Sequence, residues 1–310
     1  MIVRHTPALE TFRYRVRKAF FIFWRRVNAR ESTESGDSLG PQNDYTGETL
    51  LGRYRLMRAV SRGGFSVVYE ARDLAAGTAR AAVKVITVSP HDENWVRDRF
   101  AYEVASLRSV NHPGVVPILD SWVSPQGEPC LVMPFLEGPT IREEMSGRAF
   151  RPERVARIVR RLGSVLSEVH SRGIVHRDLK PENVILLASG TEDERPVLID
   201  FGMASLCGGE SRVWNTTLLG GSFHYMAPER LTGHYAPASD VYSFGVMILE
   251  MLSGGRLPDL NVMISDDAFP AALGRALGDV VVPANLPHLV ENLCLCYAAE
   301  PQRRPKDVGT

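Results

Sequence analysis

Lysine is scarce in this chain of 310 residues: beside 32 arginines stand only Lys18, Lys84, Lys180 and Lys306. The two cations are not interchangeable, so a lysine in an arginine-rich chain marks a place where a compact ammonium serves better. Cysteine is scarce too. Cys130, Cys207, Cys294 and Cys296 form no CxxC and have no histidine at metal-ligand spacing. That excludes a disulfide scaffold or zinc module and predicts free thiols in a reducing compartment. No apolar run approaches the roughly 18 residues that span a bilayer. The run Ala19–Trp24 is closed by Arg25 and Arg26 and falls short of a secretory h-region of about 7–15 residues. The expected localisation is cytoplasmic. Net charge is lacking as well, with 36 basic and 36 acidic residues, which argues against a nucleic-acid binder. A chain 44% hydrophobic and 23% charged is neither collagen-like nor wholly disordered.

The zero net charge conceals a split. Residues 1–30 hold eight basic residues and one acid, or +7; the rest hold 28 basic and 35 acidic, or −7. Residues 31–50 are rich in Ser, Gly, Asp and Glu and read as a linker between a basic, aromatic-rich segment and an acidic body spanning 51–310. On a helix, Phe12, Val16, Phe20, Phe23 and Val27 would share one face with arginines beside it. A pattern of that kind in residues 11–30 fits peripheral membrane or partner docking, or a tail resting on the acidic body.

Within the body, short β-type runs at Arg53–Val60, Ser66–Ala71 and Arg80–Ile86 are separated by turn signals. A helix is predicted over Asn94–Leu107, then strands around Val115–Val123 and Cys130–Met133. After Gly138 the pattern turns helical. Val155, Ile158, Val159, Leu162, Val165, Leu166 and Val169 fall on one helix face, and Asp240–Leu252 reads as a helix apolar on nearly all sides. The plan is α+β: a small strand-rich lobe (51–133), a joint (134–138) and a larger helical lobe (139–310). The cleft at the joint is where a ligand site is expected.

The most specific stretch is His176-Arg177-Asp178-Leu179-Lys180-Pro181-Glu182-Asn183, which fits H-R-D-L-x-x-x-N at every fixed place. Asp200-Phe201-Gly202 and Ala227-Pro228-Glu229 follow it; Ala81-Ala82-Val83-Lys84 and Glu103 precede it. In this ordered set the sequence resembles the protein kinase family, and within it the bacterial, eukaryotic-like Ser/Thr kinases. The resemblance implies a two-lobed protein-kinase-like fold with a β-rich N-lobe and a helical C-lobe, and the use of ATP with Mg²⁺ on protein substrates.

The roles it implies are these. Lys84 holds the α- and β-phosphates, oriented by an ion pair with Glu103. Asp178 accepts the hydrogen bond of the substrate hydroxyl, and Lys180 contacts the γ-phosphate. Asp200 and Asn183 hold Mg²⁺. Val68, Ala82 and Ile185 sandwich the adenine, with Met133 as gatekeeper and Leu136 offering backbone groups, although core packing explains these apolar residues equally. Asp240 braces the catalytic loop, and Glu229 pairs with Arg304. Arg177 implies control by an ordered activation loop, in which Thr216 and Thr217 are the candidate phosphorylated residues.

The phosphate loop departs from the family pattern. In Ser61-Arg62-Gly63-Gly64-Phe65-Ser66-Val67-Val68 the middle glycine survives as Gly63, while Ser61 and Ser66 replace the outer two. Glycine there allows close approach to phosphate and a positive φ. The serines are expected to weaken nucleotide binding, which keeps open a pseudokinase or ATP-binding scaffold as the alternative. A small-molecule kinase of related fold is the third reading, and the long segment ending in Ala227-Pro228-Glu229 argues against it.

Overall fold

The computed structural model describes residues 44–63, 66–87, 93–201, 222–255, 257, 289–298 and 300–306. The first lobe is a six-stranded antiparallel sheet in the order β1-β2-β3-β4-β6-β5. Its strands are β1 (Thr49–Leu50), β2 (Tyr54–Arg62), β3 (Ser66–Asp73), β4 (Ala79–Ile86), β5 (Asp120–Val123) and β6 (Pro129–Pro134). Alternation in β3 and β4 sends Val67, Tyr69, Ala71, Ala81, Val83 and Val85 into one core with Tyr54, Leu56 and Val132. On the other face α1 (Glu93–Arg108) closes a smaller cluster through Phe100 and Val104, packed on Ile86 and Leu131.

Two sequence expectations are corrected here. The strand predicted over 115–123 begins only at Asp120; Val115 makes a lone parallel bridge to Leu198, and Pro117 has no N–H to continue a ladder. The linker read over 31–50 gives its last seven residues to the lobe. Tyr45 is buried in the sheet core, its hydroxyl donates to Glu128, and Glu48 accepts from the Leu56 amide at 2.8 Å.

The second lobe is helical. After the joint, Thr140 and Glu143 exchange side-chain and backbone hydrogen bonds in a capping box that starts α2 (Ile141–Met145). Pro152 opens α3 (Pro152–Ser171), whose buried stripe of Val155, Ile158, Leu162, Val165, Leu166 and Val169 follows the predicted face, with Val159 at its margin. The hairpin β7 (Val184–Leu187) and β8 (Arg195–Leu198) lies against α3, and α4 (Pro237–Ser253) is buried along its length from Ser239. α5 (Leu289–Cys296) packs on α4 where Gly245 leaves room: a Cβ there would stand 2.7 Å from that of Cys296. Gly138 in the joint is likewise dictated by contact, since a Cβ would meet the Leu186 carbonyl oxygen at 2.2 Å.

Candidate active site

The catalytic-loop motif lies between α3 and β7, and Asp240 at the head of α4 fixes its backbone. One carboxylate oxygen of Asp240 accepts from the His176 amide (2.7 Å) and His170 Nε2 (2.9 Å), the other from the Arg177 amide (2.9 Å). Burial pushes the Asp240 carboxyl up, but the His170 hydrogen bond and the nearby imidazoles and amide outweigh it, so the group titrates below the ordinary range. Those bonds hold a strained turn. Arg177 has φ 68° and Asp200 φ 59°, left-handed conformations that cost a non-glycine residue on the order of 1 kcal/mol or more.

His176 ties this loop to the one bearing Asp200. Its Nε2 lies 2.9 Å from the Ile199 carbonyl oxygen, its Nδ1 lies 3.3 Å from the Asp178 amide nitrogen, and its ring packs on Phe201. Burial lowers its pKa, so the imidazole is neutral: Nε2–H donates to Ile199 and Nδ1 accepts from Asp178. The Ile199 amide in turn donates to the Asn183 carbonyl at 2.9 Å.

Asp178 receives two donors on one carboxylate oxygen, Lys180 Nζ at 2.8 Å and Asn183 Nδ2 at 3.0 Å. The same Asn183 nitrogen donates to the Asp178 carbonyl at 2.6 Å, which locks the loop around the motif. Asp178 and Lys180 remain partly accessible while Asn183 is buried.

Lys84 on β4 is buried and pairs with Asp200 at 3.0 Å. Burial works to raise the Asp200 carboxyl; the charge and hydrogen bond of Lys84 more than offset it and hold the group below its ordinary value. The expected Lys84–Glu103 ion pair is a correction. Among the described residues Lys84 and Glu103 do not pair, and Glu103 reaches across to Arg177, with 3.5 Å between Oε1 and Nη1. The physical reason is that each cation takes the carboxylate that its neighbouring elements present. The left-handed turn at Asp200 presents one to β4, and α1 sits where Glu103 meets the catalytic loop instead.

The remaining predicted residues take these places. Ala82 and Met133 are register partners on β4 and β6, and Val68 stands opposite Lys84 on β3. Leu136 and Ala82 pack around Met133, Val116 and Val197, while Val68 and Ile185 are half-buried apolar positions. Ser61 lies on β2 opposite Val68, and the Gly63 amide donates to the Ser66 carbonyl at 2.8 Å, closing the hairpin. Gly63 has no positive φ, and a Cβ there would meet only Ser66 atoms, at 3.7–3.8 Å. The fold itself therefore does not require glycine at 63. Gly64, Phe65, Thr216 and Thr217 lie outside the described residues. Glu229 and Arg304 form a buried two-pronged pair at 2.6 and 2.9 Å.

One polar group near the catalytic loop escaped the sequence reading. Arg142 of α2 donates to Glu182 (2.7 Å), to the Tyr225 hydroxyl (2.6 Å) and to the buried Glu250 of α4. The signal was there: Glu250 is an acid in the apolar run after Ser243 of this helix, and a buried carboxylate demands a cation or donor to match it.

Comparison with known proteins agrees with this geometry. The family model described as "Protein kinase domain" matches residues 54–262. A serine/threonine-protein kinase named pkn2 from Myxococcus xanthus is 36% identical over 235 residues, 73% of this chain and 28% of the relative. The serine/threonine-protein kinase PknA of Mycobacterium tuberculosis is 35% identical over 216 residues, 68% of this chain and 49% of the relative. The chain thus spans less than half the length of either curated relative. In fold, it superposes on the crystal structure of Rad53 1-466 with a TM-score of 0.62 at 21% identity, over 81% of this chain and 62% of that one. A strand-rich lobe and a helical lobe, joined at Gly138 and carrying Lys84, Asp178, Asn183 and Asp200 where they meet, place this chain in the protein kinase domain family.

Proposed function

We propose that the chain is a Ser/Thr protein kinase that moves the γ-phosphoryl group of Mg-ATP to Ser or Thr hydroxyls of proteins. The observation that carries this reading is the Asp178 carboxylate, partly accessible and steadied at one oxygen by Lys180 and Asn183. A carboxylate so held can orient an incoming hydroxyl and accept its proton while the new O–P bond forms and the bond from phosphorus to the ADP oxygen breaks. Lys180, 2.8 Å from that carboxylate, lies close enough to set its ammonium against the group in transfer. Lys84 supplies a second ammonium at the floor of the small lobe, so two of only four lysines stand at this site.

The donor set suits Mg²⁺, a hard cation that takes one or two carboxylates beside phosphate oxygens. Asp200 offers an anionic carboxylate. Asn183, whose amide nitrogen is committed to Asp178, offers its amide oxygen. When bound, the ion neutralises charge on the phosphate oxygens. Val68, Ala82, Met133, Leu136 and Ile185 supply apolar surface from both lobes for a purine. Gly63, which nothing among the described residues requires, leaves room for phosphate.

The reading is tested by phosphate transfer from labelled ATP to the chain itself and to a generic protein, with wild type set against Asp178→Asn. Wild type is expected to transfer and the variant to lose at least about 10²-fold in rate. A folded wild type that transfers nothing overturns the kinase reading in favour of the scaffold reading that Ser61 and Ser66 keep open. The same reaction followed by phosphopeptide mapping tests autophosphorylation within 211–217. We further propose that residues 11–30 dock on an anionic membrane surface or an acidic partner.

A further inference from the structure

Residues 135–137, in the joint between the lobes, share one partner. Phe135 donates its amide to the Arg80 carbonyl at 3.4 Å, and its ring lies under the Arg80 guanidinium, 4.1 Å from centroid to Cζ. Glu137 pairs with Arg80 Nη1. Among the described residues no other hydrogen bond or ion pair holds this stretch. The β4–β6 ladder stops just before it, at Ala81 and Pro134, and proline has no N–H to donate. Arg80 is itself held from behind. Its Nε donates at 2.8 Å to Glu70, a buried carboxylate on β3 whose other oxygen pairs with Arg58 at 2.8 Å. Leu136, between the two held residues, is half-buried, and its backbone N–H and carbonyl have no hydrogen-bond partner among the described residues.

We infer that Arg80 is a positioning residue for the nucleotide: by fixing Phe135 and Glu137 it sets the Leu136 backbone to read the edge of adenine. The inference rests on the ATP reading above and deepens it. A carboxylate as exposed as that of Glu137 adds little through charge alone. Glu70 and the Phe135 ring, however, have already ordered the guanidinium, so the contact with Glu137 costs little further freedom. Lysine has neither the rigid fork for two carboxylates nor the flat face for a ring, which accounts for arginine here. Adenine presents an amine donor where guanine presents a carbonyl acceptor. A backbone donor and acceptor held in fixed places therefore satisfy one base and leave unpaired groups against the other. A backbone free to shift discriminates less.

The experiment titrates the full chain with ADP and with GDP, each with Mg²⁺, by calorimetry. Wild type is expected to bind ADP about tenfold or more tightly than GDP. Arg80→Met keeps an apolar stem over Phe135 and leaves Glu70 its Arg58 partner, so the small lobe gains no unmatched buried charge. It is expected to lose about tenfold in ADP affinity while GDP affinity changes little, which collapses the ratio. Arg80→Lys is expected to fall between the two. Where Arg80→Met does not fold, Glu137→Ala, at an exposed side chain, removes only the contact at the joint and is expected to lower the ratio by a smaller factor. In phosphate transfer the Arg80 variants are expected to raise KM for ATP and spare kcat, because the contacts of Asp178 and Lys180 are untouched. A folded Arg80→Met whose ADP and GDP affinities both stay, or fall by the same factor, overturns the positioning role. So does a wild type that binds both nucleotides equally. Either result leaves the kinase reading standing while wild type still transfers phosphate from ATP. A folded wild type that binds neither nucleotide sinks the ATP reading and this inference with it.

Discussion

At the scale of single residues, the neutral imidazole of His176 is the hub on which the site's geometry turns. It joins the Asp178 amide to the Ile199 carbonyl, so the loops bearing Asp178 and Asp200 move together. Burial depresses its pKa, and the unfolded chain therefore binds a proton that the folded chain refuses. Stability then rises with pH between the lowered folded pKa and the ordinary value near 6.5, and it falls as pH drops below about 6.5. Nitrogen NMR of His176 is expected to show the Nε2–H tautomer as the main form at about pH 6.5, where an ordinary imidazole is half protonated. A folded chain in which imidazolium makes up half or more of the signal at that pH contradicts the assignment. The sequence placed His176 in a motif, but the motif could not say which nitrogen carries the proton. That depends on which carbonyl the fold sets beside it. The ion pair of Glu103 was misjudged for a similar reason: a cation's choice between two carboxylates is settled by the position of α1, which no spacing encodes.

At the scale of elements, α4 was legible because an apolar run bounded by Pro237 and Gly254 leaves little else to be. Its polar residues were harder to read, since Asp240 gains meaning from partners 63 to 70 residues away, and Glu250 from Tyr225 and Arg142, 25 and 108 residues away. The Ser/Gly/Glu-rich composition of 31–50 likewise concealed Tyr45, because one aromatic residue scarcely alters the average that marks a linker. The pair between Glu229 and Arg304 shows how buried polar contacts bind elements together. Arg304 donates to both carboxylate oxygens of Glu229 and to the carbonyls of Ala238 and Ala298, which staples the Pro301–Arg303 turn to α4 and to the chain after α5. Arg304→Met would take the guanidinium from the buried Glu229 carboxylate and leave it the Ser239 hydroxyl, which donates at 2.8 Å but brings no charge. Urea unfolding is expected to show a loss of about 3–5 kcal/mol. Adding Glu229→Gln to that variant removes the stranded charge and is expected to recover part of the loss. A double variant no more stable than Arg304→Met would show that the carboxylate was never isolated.

For the whole molecule, the division of charge is the observation from which the docking proposal for residues 11–30 starts. The +7 of residues 1–30 and the −7 of the remainder attract each other within one chain, so any anionic surface must compete with the body for the same arginines. Contacts of that kind are worth roughly 1 kcal/mol per basic residue near an anionic bilayer and fade within a Debye length, so binding should be steep in both lipid charge and salt. The competing body sets where the comparison variant must be cut. Tyr45 belongs to the sheet core, so removing residues 1–43 deletes the basic segment and keeps every described residue, whereas a cut two residues later costs a buried aromatic. Co-sedimentation with vesicles of mixed neutral and anionic lipid is expected to pull down the full chain at low salt. The shortened chain should stay in solution, and the full chain should be released as salt rises. If self-docking dominates instead, the full chain stays in solution with the shortened one. The two forms then differ in salt-dependent stability, because only the full chain has an internal attraction for salt to screen. Equal vesicle binding by both would remove the membrane reading altogether, for the acidic body has no charge-based reason to approach an anionic surface.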